Sequence, residues 1–583
     1  MKSIFAILVV LTLAGLSACE KKDLLDAKPN TDLNEATTFV DSARTSDFLF
    51  GTYAEIGFAF GYRRYTYASN ISAGTAEGCD EAVHRLAAAT QPFVPLFNGA
   101  MNSQQTAPYE YLWWKPWTNI RRANVFLKNV DKSPFSEGLK KQTKAEARFL
   151  RTWYYSILVK NFGGVPLLGD KILALDEQFN QPRDSYEACV NFMVSELDAI
   201  AGDLPTEYDA QNYGRITRGA CLALKSRILL YAASPLFNGG SVGTTEEQKK
   251  VTAYLTFDQS RWQKAADAAK ALIDMNQYSL YEDNTTAPGF GFNRVFLMRK
   301  NPEFILPGMQ GSNKNMEGFT LPKSRNTGTT QTAPSQNLAE AFGMNNGKAI
   351  TDPTSGFNPG DPYVGRDPRF NYTFIFNGTP WYTSSGTKTP IFTYDGAPND
   401  GYTTVAWATG YWWRKMLDDN ITAQSGPNTE RVLPLIRYAE ILLNYAEAAN
   451  EMGNTSIAYD QLKIVRKRAG IAPGGDGLYG LKSGMTKEEM RTILMNERQV
   501  ELAYEDHRYW DVRRWKTAPQ NQNVDMKAMK ITRTVVGGVT SYTYQTVPIS
   551  TNVTHVFKDF MYFFPIMQTE LAKNPKFVQN PGY

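Results

Sequence analysis

Histidine is nearly absent: three residues in a chain of 583. His84, His507 and His555 stand far apart, and none sits with cysteine or carboxylates at a metal-ligand spacing, so a metal centre is not expected. Cysteine is almost as scarce. Beyond Cys19 only Cys79, Cys189 and Cys221 remain, an odd number without metal-type spacing. At most one disulfide can form among them, and buried free thiols are expected. After the N-terminus no apolar run is long enough to cross a bilayer, which takes about 20 residues. Charge of one sign does not accumulate either. The net charge is +4 with the signs interspersed, which argues against nucleic acid as the main ligand despite basic-aromatic pieces such as Arg63-Arg64-Tyr65. No nucleophile-elbow, P-loop or dinucleotide-binding pattern is present, and Gly343 to Lys348 has the wrong spacing for a phosphate loop. No cofactor is implied.

What is present begins with an address. Lys2 is followed by an apolar stretch from Ile4 to Leu16 and then by Leu16-Ser17-Ala18-Cys19. Charge, a short apolar core and small residues in that order read as a secretory signal, residues 1–18. The Leu-Ser-Ala-Cys sequence resembles a lipobox, which makes Cys19 the expected lipidation site and 19–34 a charged tether. Several acyl chains anchor a protein stably where one is marginal.

Aromatics make up 13% of the chain, with 31 Tyr and 11 Trp, many in Gly-, Asn- and Thr-rich stretches. The pattern along 35–583 predicts one unit in three stretches. In 35–277, Leu150, Trp153 or Tyr154, and Ile157 or Leu158 recur at helical spacing, and the helix should stop at Phe162-Gly163-Gly164-Val165-Pro166. Tyr186 to Leu204, Arg218 to Ala233 and Trp262 to Met275 read as further helices. In 430–583, Pro434 suits the first turn of a helix carrying Leu435, Ala439, Leu442, Ala446 and Ala449 on one stripe. Ala458, Leu462, Val465 and Ala469 repeat the pattern, and Thr486 with Glu489 fits a capping box opening a helix through Tyr504. Between them, 278–429 is rich in Gly, Asn, Thr, Pro and aromatics, with short strand-like runs at Tyr372 to Phe376 and Gly410 to Met416. Long irregular stretches in a compact protein are commonly functional. The expected fold is mainly α: helix hairpins of tetratricopeptide type as a scaffold, with an irregular, loop-rich half containing short strands.

Glu497, Glu501, Glu505 and Asp511 form the densest carboxylate group. Spacings of four put the three glutamates on one helix face. A hydrolase would need two such groups facing each other across a cleft. Pairing with Arg498, Arg508, Arg513 and Arg514 to lock the last helices in place is the favoured reading. Asp80 and Glu81, after Cys79, are expected to position a loop rather than bind a cation.

Several segments then become recognisable together. They are Trp117-Thr-Asn-Ile-Arg-Arg-Ala-Asn124, Glu146-Ala-Arg-Phe-Leu-Arg151 leading to Phe162-Gly-Gly-Val-Pro166, and Arg437-Tyr-Ala-Glu-Ile-Leu-Leu443 with Ala446-Glu-Ala448. Val465-Arg-Lys-Arg-Ala-Gly470, Glu497-Arg498, Glu501-Leu-Ala503, Tyr509-Trp-Asp-Val-Arg-Arg-Trp515 and the closing Gln579-Asn-Pro-Gly-Tyr583 follow. In this order they resemble the SusD/RagB family of Bacteroidetes outer-membrane lipoproteins over essentially the whole mature chain. The resemblance implies a surface-exposed, lipid-anchored binding protein without catalysis. It also implies a SusC-like TonB-dependent transporter as partner, over which the chain acts as a lid, and a nutrient as ligand. A poly- or oligosaccharide is the first expectation and a peptide or other non-sugar nutrient the second.

A sugar-binding site needs ring faces and hydrogen-bonding edges. Two regions supply both: Ala82 to Trp114, with Phe93, Phe97, Asn98, Trp113 and Trp114, and the middle stretch, with Arg325, Trp381, Tyr382 and Trp407. Trp117, Trp412 and Trp413 are assigned to packing.

Overall fold

The computed structural model describes residues 35–60, 74–84, 93–106, 109–174, 177–326, 332–401, 409–422, 425–549 and 554–583. Cys19, the leader, the tether and Trp407 lie outside them. The scaffold is helical: α1 Ser42–Tyr53, α2 Glu110–Asn129, α3 Glu137–Phe162, α4 Tyr186–Ile200, α5 Arg218–Ala233, α6 Ser260–Ile273, α7 Tyr438–Glu451, α8 Thr455–Arg468, α9 Lys487–Glu501 and α10 Arg508–Arg514. Consecutive members pack as hairpins, α2 on α3, α4 on α5 and α7 on α8. Their starts are written in side chains. Asp41, Ser136, Ser185 and Thr217 each accept a backbone N–H of the first turn. The Thr486–Glu489 capping box forms with both of its bonds. At the end of α3, Gly163 turns with φ +79°, and a Cβ there would lie 2.3 Å from the Val251 carbonyl oxygen, so only glycine lets the two backbones approach.

Helix α6 joins the N-terminal and C-terminal stretches. Ala265, Ala266 and Ala268 are buried with Leu229, Leu230 and Ala233 of α5 and with Ala448 of α7. Small side chains at a crossing let helix axes come close, so the two helical stretches share one packed interior. Among the described residues ten short strands form five two-stranded antiparallel sheets: β1 Ala82–His84 with β3 Thr332–Pro334, β2 Phe304–Asn313 with β8 Thr429–Arg437, and β4 Phe374–Ile375 with β7 Trp412–Trp413. The others are β5 Thr379–Tyr382 with β6 Lys388–Ile391, and β9 Lys527–Val536 with β10 Val539–Pro548. The mainly helical expectation holds. Pro434 is the exception in detail: it lies in β8, and the helix opens only at Tyr438. Its register partner is Pro307 of β2, so the two residues without an N–H face each other and no further ladder donor is lost.

Beneath this scaffold lies a buried charge cluster. Arg437 reaches Glu303 at 2.6 Å, Glu501 at 2.8 Å and Glu505 at 2.5 Å. Arg369 holds Asp367 at 2.8 Å, Glu497 at 2.7 Å and Glu501 at 2.9 Å. Arg466 pairs with Glu497, Arg468 with Glu303 and Glu501, and Lys415 with Glu505. Five cations thus meet five carboxylates in the interior. Burial alone would raise the Glu501 carboxyl, but Arg468, Arg437 and Arg369 hold it well below the usual carboxylate range. The structural reading of these glutamates stands, but their partners are not those expected. Asp511 does pair with Arg498 and Arg514 as expected, whereas Arg514 also pairs with Glu447 and Arg508 is bound by Asp80. Arg513 lies 3.4 Å from the Tyr509 ring centroid and donates to the Met561 carbonyl. Helix α9 ends at Glu501, so Glu505 enters the cluster from the turn beyond it. Cys79, Cys189 and Cys221 are buried free thiols.

Asp80 and Glu81 position the chain as expected. Asp80 accepts two bonds from Arg508, and Glu81 accepts the Tyr504 backbone N–H. Burial, then repulsion from Asp80, pushes the Glu81 carboxyl up to about 8.

Arg437→Met leaves three buried carboxylates short of a partner, and should cost about 3–5 kcal/mol, read as a lower urea midpoint. Glu81 predicts a slope with pH. The folded chain keeps a proton that the unfolded chain releases above about pH 4.5, so stability falls as pH rises toward 8. Glu81→Gln should flatten that slope in melting curves between pH 5 and 9, with the variant melting above the wild type at pH 8.5.

Candidate functional site

The β5–β6 hairpin shows how strand parity chooses which ring faces outward. Along Thr379-Pro380-Trp381-Tyr382 the side chains alternate, Thr379 and Trp381 buried, Pro380 exposed and Tyr382 half-buried. Trp381 is wholly buried and its indole N–H donates to the Ile421 carbonyl at 3.1 Å. Arg325 is buried behind the same hairpin. It donates to the Thr389 carbonyl at 2.9 Å and to the Thr389 hydroxyl at 2.7 Å, and burial lowers its guanidinium from the usual range. These two expected ligand contacts are therefore corrected: they hold the hairpin from inside. Tyr382 stays at the surface, with the Lys388 ammonium 5.4 Å from its ring centroid.

Just past β6 the chain presents a run of rings. Phe392 is 39% exposed and its centroid lies 5.7 Å from that of Tyr394. Tyr394 in turn lies 5.9 Å from Tyr542 of β10. Arg533 of β9 stands over Tyr394 at 5.3 Å and donates to its hydroxyl at 3.3 Å. Tyr542 is the register partner of Arg533, so ring and guanidinium come from one cross-strand pair. The segment is tied to the β9–β10 ribbon by the Asp395 N–H, which donates to the Ile531 carbonyl at 2.7 Å, and is fixed at its start by the Thr393 N–H on the Asn377 side chain. The arrangement offers partly exposed ring faces beside guanidinium and ammonium donors. It suits a flat ligand with C–H faces and a polar edge.

The sequence did not single out Phe392, Tyr394, Arg533 or Tyr542. The alternation Tyr542-Thr543-Tyr544 was the available signal, since it puts two tyrosines on one strand face.

The first expected region behaves differently. Phe93 is buried against His84, and Phe97 is buried and stacked on His555 at 4.7 Å. Burial drives the His555 imidazole down to about 4. Asn98 is half-buried and spends its side-chain oxygen on the Ala100 N–H. Trp113 is buried edge-on against Phe162 and Trp117. For Phe93, Phe97 and Trp113 the expectation of ligand contact is corrected to core packing. Trp113 and Trp114 are successive helix residues, about 100° apart on α2, and here the first turns inward and the second outward. Trp114 faces out, 41% exposed, edge-on to Tyr111 at 4.8 Å, with Lys115 5.4 Å from its ring and paired with Glu55. Trp413 keeps its packing role, stacked on Tyr504 at 3.6 Å. Among the described residues no group of three His, Cys, Asp or Glu side chains is placed to hold a metal ion. No described helix is long and apolar enough to cross a membrane.

Comparison with known proteins agrees with this architecture. The SusD family model matches residues 302–583, and a SusD-like model described as starch-binding and associating with the outer membrane matches residues 62–230. SusD-like protein P38 of Formosa agariphila is 20% identical over 87% of this chain and 90% of its own length. SusD-like protein P2 of the same organism is 38% identical over 82 residues, 14% of this chain and 16% of its own length. The crystal structure of a SusD-like carbohydrate-binding protein from Bacteroides fragilis superposes with a TM-score of 0.70 at 21% identity, covering 93% of this chain and 99% of that one.

Tyr394→Ala removes the ring between Phe392 and Tyr542 without touching the buried anchors. Thermal melting should shift by the equivalent of about 1 kcal/mol or less, whereas Trp381→Ala should cost about 3–5 kcal/mol.

Proposed function

The chain belongs to the SusD/RagB family, and from that premise we propose that it binds a glycan at the cell surface and delivers it to a SusC-like TonB-dependent transporter, over which it sits as a lid. The observation that carries the ligand class is the run Phe392–Tyr394–Tyr542 with Arg533 beside it. A sugar ring has C–H faces that cover an aromatic ring and hydroxyls that accept from guanidinium donors. Rings held in place beforehand cost little entropy on binding. The carbohydrate-binding description of the Bacteroides fragilis neighbour supports the same class. Tyr382 and Trp114 are proposed as further contacts, and Asn98 and Trp407 are retained as candidates on the sequence reading alone. Cys19 carries the lipid that holds the protein to the outer membrane. The role is binding without catalysis: the carboxylates of the α9 region, which a hydrolase would need in an open cleft, are ion-paired and buried.

Calorimetry and affinity electrophoresis against a panel of poly- and oligosaccharides test the reading. At least one should bind, with Phe392→Ala and Tyr394→Ala each weakening it about tenfold and no reducing ends released. Binding of peptides and of no saccharide would replace the glycan with a non-sugar nutrient. Cys19→Ala should release the protein from the membrane fraction, and affinity purification of the tagged wild type should recover an outer-membrane transporter.

A further inference from the structure

A second cleft opens away from the aromatic run, built from different elements. Its walls are the connection between α4 and α5, the residues after α6, and the approach to β2, and its cavity volume is about 390 Å³. That volume is within the range of small-molecule sites. Three tyrosines line it: Tyr208, Tyr213 and Tyr278. Each is held in place. Tyr208 donates to Glu146 and accepts from Gln142, both at 3.0 Å, with the Arg215 guanidinium 5.1 Å from its ring. Tyr278 packs against the start of α5, where a Cβ on Gly219 would come within 2.2 Å of its hydroxyl. Arg299 and Lys300 stand over the Tyr213 ring at 5.4 and 5.7 Å.

Two features narrow the ligand. The Tyr213 hydroxyl is buried and meets no protein hydrogen-bond partner, an arrangement that costs about 1–3 kcal/mol until something supplies one. The cations around the cleft are already neutralised. Arg215 pairs with Glu146 at 2.6 Å and Lys300 with Glu207 at 2.7 Å, so the cleft presents N–H donors and ring faces without net positive charge. That chemistry disfavours a phosphate or carboxylate and favours a neutral polyhydroxylated molecule. Lys300 keeps donors beyond the one given to Glu207, and Gln277, which donates to the Thr206 carbonyl, keeps its side-chain oxygen as an acceptor. We propose that this cleft is a second carbohydrate site, taking one ring or the end of a neutral oligosaccharide against Tyr213 and Tyr278, independently of the Phe392–Tyr394–Tyr542 surface.

Hydrogen–deuterium exchange of the full mature chain tests it, with maltohexaose, laminarihexaose, cellohexaose, mannohexaose, xylohexaose and inorganic phosphate each at millimolar concentration. At least one hexaose should slow exchange at 206–217 and 300–307. Tyr213→Ala should abolish that slowing and leave any slowing at 388–394 and 539–548 intact. The near-isosteric Tyr213→Phe, which keeps the ring and the fold, should weaken binding at the cleft about fivefold. Slowing confined to 388–394 and 539–548 overturns the second site while leaving the first. Slowing at neither place overturns both. Slowing at the cleft by phosphate alone, or hexaose slowing that survives Tyr213→Ala, also overturns it.

Discussion

Ten charged side chains share the space where β8, α7, α8 and α9 meet, and the neutrality of that group governs how the remaining chain can be laid out. Taking an ion out of water costs several kcal/mol, and only close, multiply bonded opposite charges offset it. Each member is therefore useful only when all the others have arrived. Arg437 stands at the joint of β8 and α7, Arg466 and Arg468 close α8, and Glu497 and Glu501 close α9. Glu303, Arg369 and Lys415 come from the loop-rich middle stretch. The cluster thus does for the irregular half what apolar packing does for the helices: it fixes segments that have little regular hydrogen bonding of their own to a rigid body.

From that body the anchoring passes outward in steps. Lys415 donates to the Glu501 and Ala503 carbonyls as well as to Glu505, which seats the chain just after β7. Trp413 stacks on Tyr504 immediately before it. Trp381 and Arg325 then secure the β5–β6 hairpin, and the hairpin and the β9–β10 ribbon bring Phe392, Tyr394 and Tyr542 side by side. The rings proposed to meet a ligand are thus held by buried residues behind them.

Local signals in the sequence carried the helices well. Arg218–Ala233 was legible to the residue, and the Gly163 stop and the Thr486–Glu489 box followed from backbone chemistry that needs no distant partner. Pro434 was misread because a proline fits either a helix's first turn or a strand position without a ladder donor, and the deciding neighbour, Pro307, lies far away in sequence. The glutamates of α9 were legible as structural, but their partners Arg369 and Arg437 come from other segments that only the fold brings together. Trp381 was chosen for its size and polar surroundings, whereas the alternation of its strand decided its direction. For Trp113 and Trp114 the helix made the same kind of decision. Composition located the aromatic half; it did not say which rings turn outward.

The division between Trp381 inside and Tyr382 outside has a consequence for how such a chain diversifies. Proteins sit only a few kcal/mol above the threshold for folding, so a new specificity is accessible where its substitutions do not spend that margin. Phe392 is exposed and Tyr382 only half-buried, while Trp381 and Arg325 beneath them are buried. Drift at the outward positions can therefore change what this surface presents while the inherited scaffold stays folded.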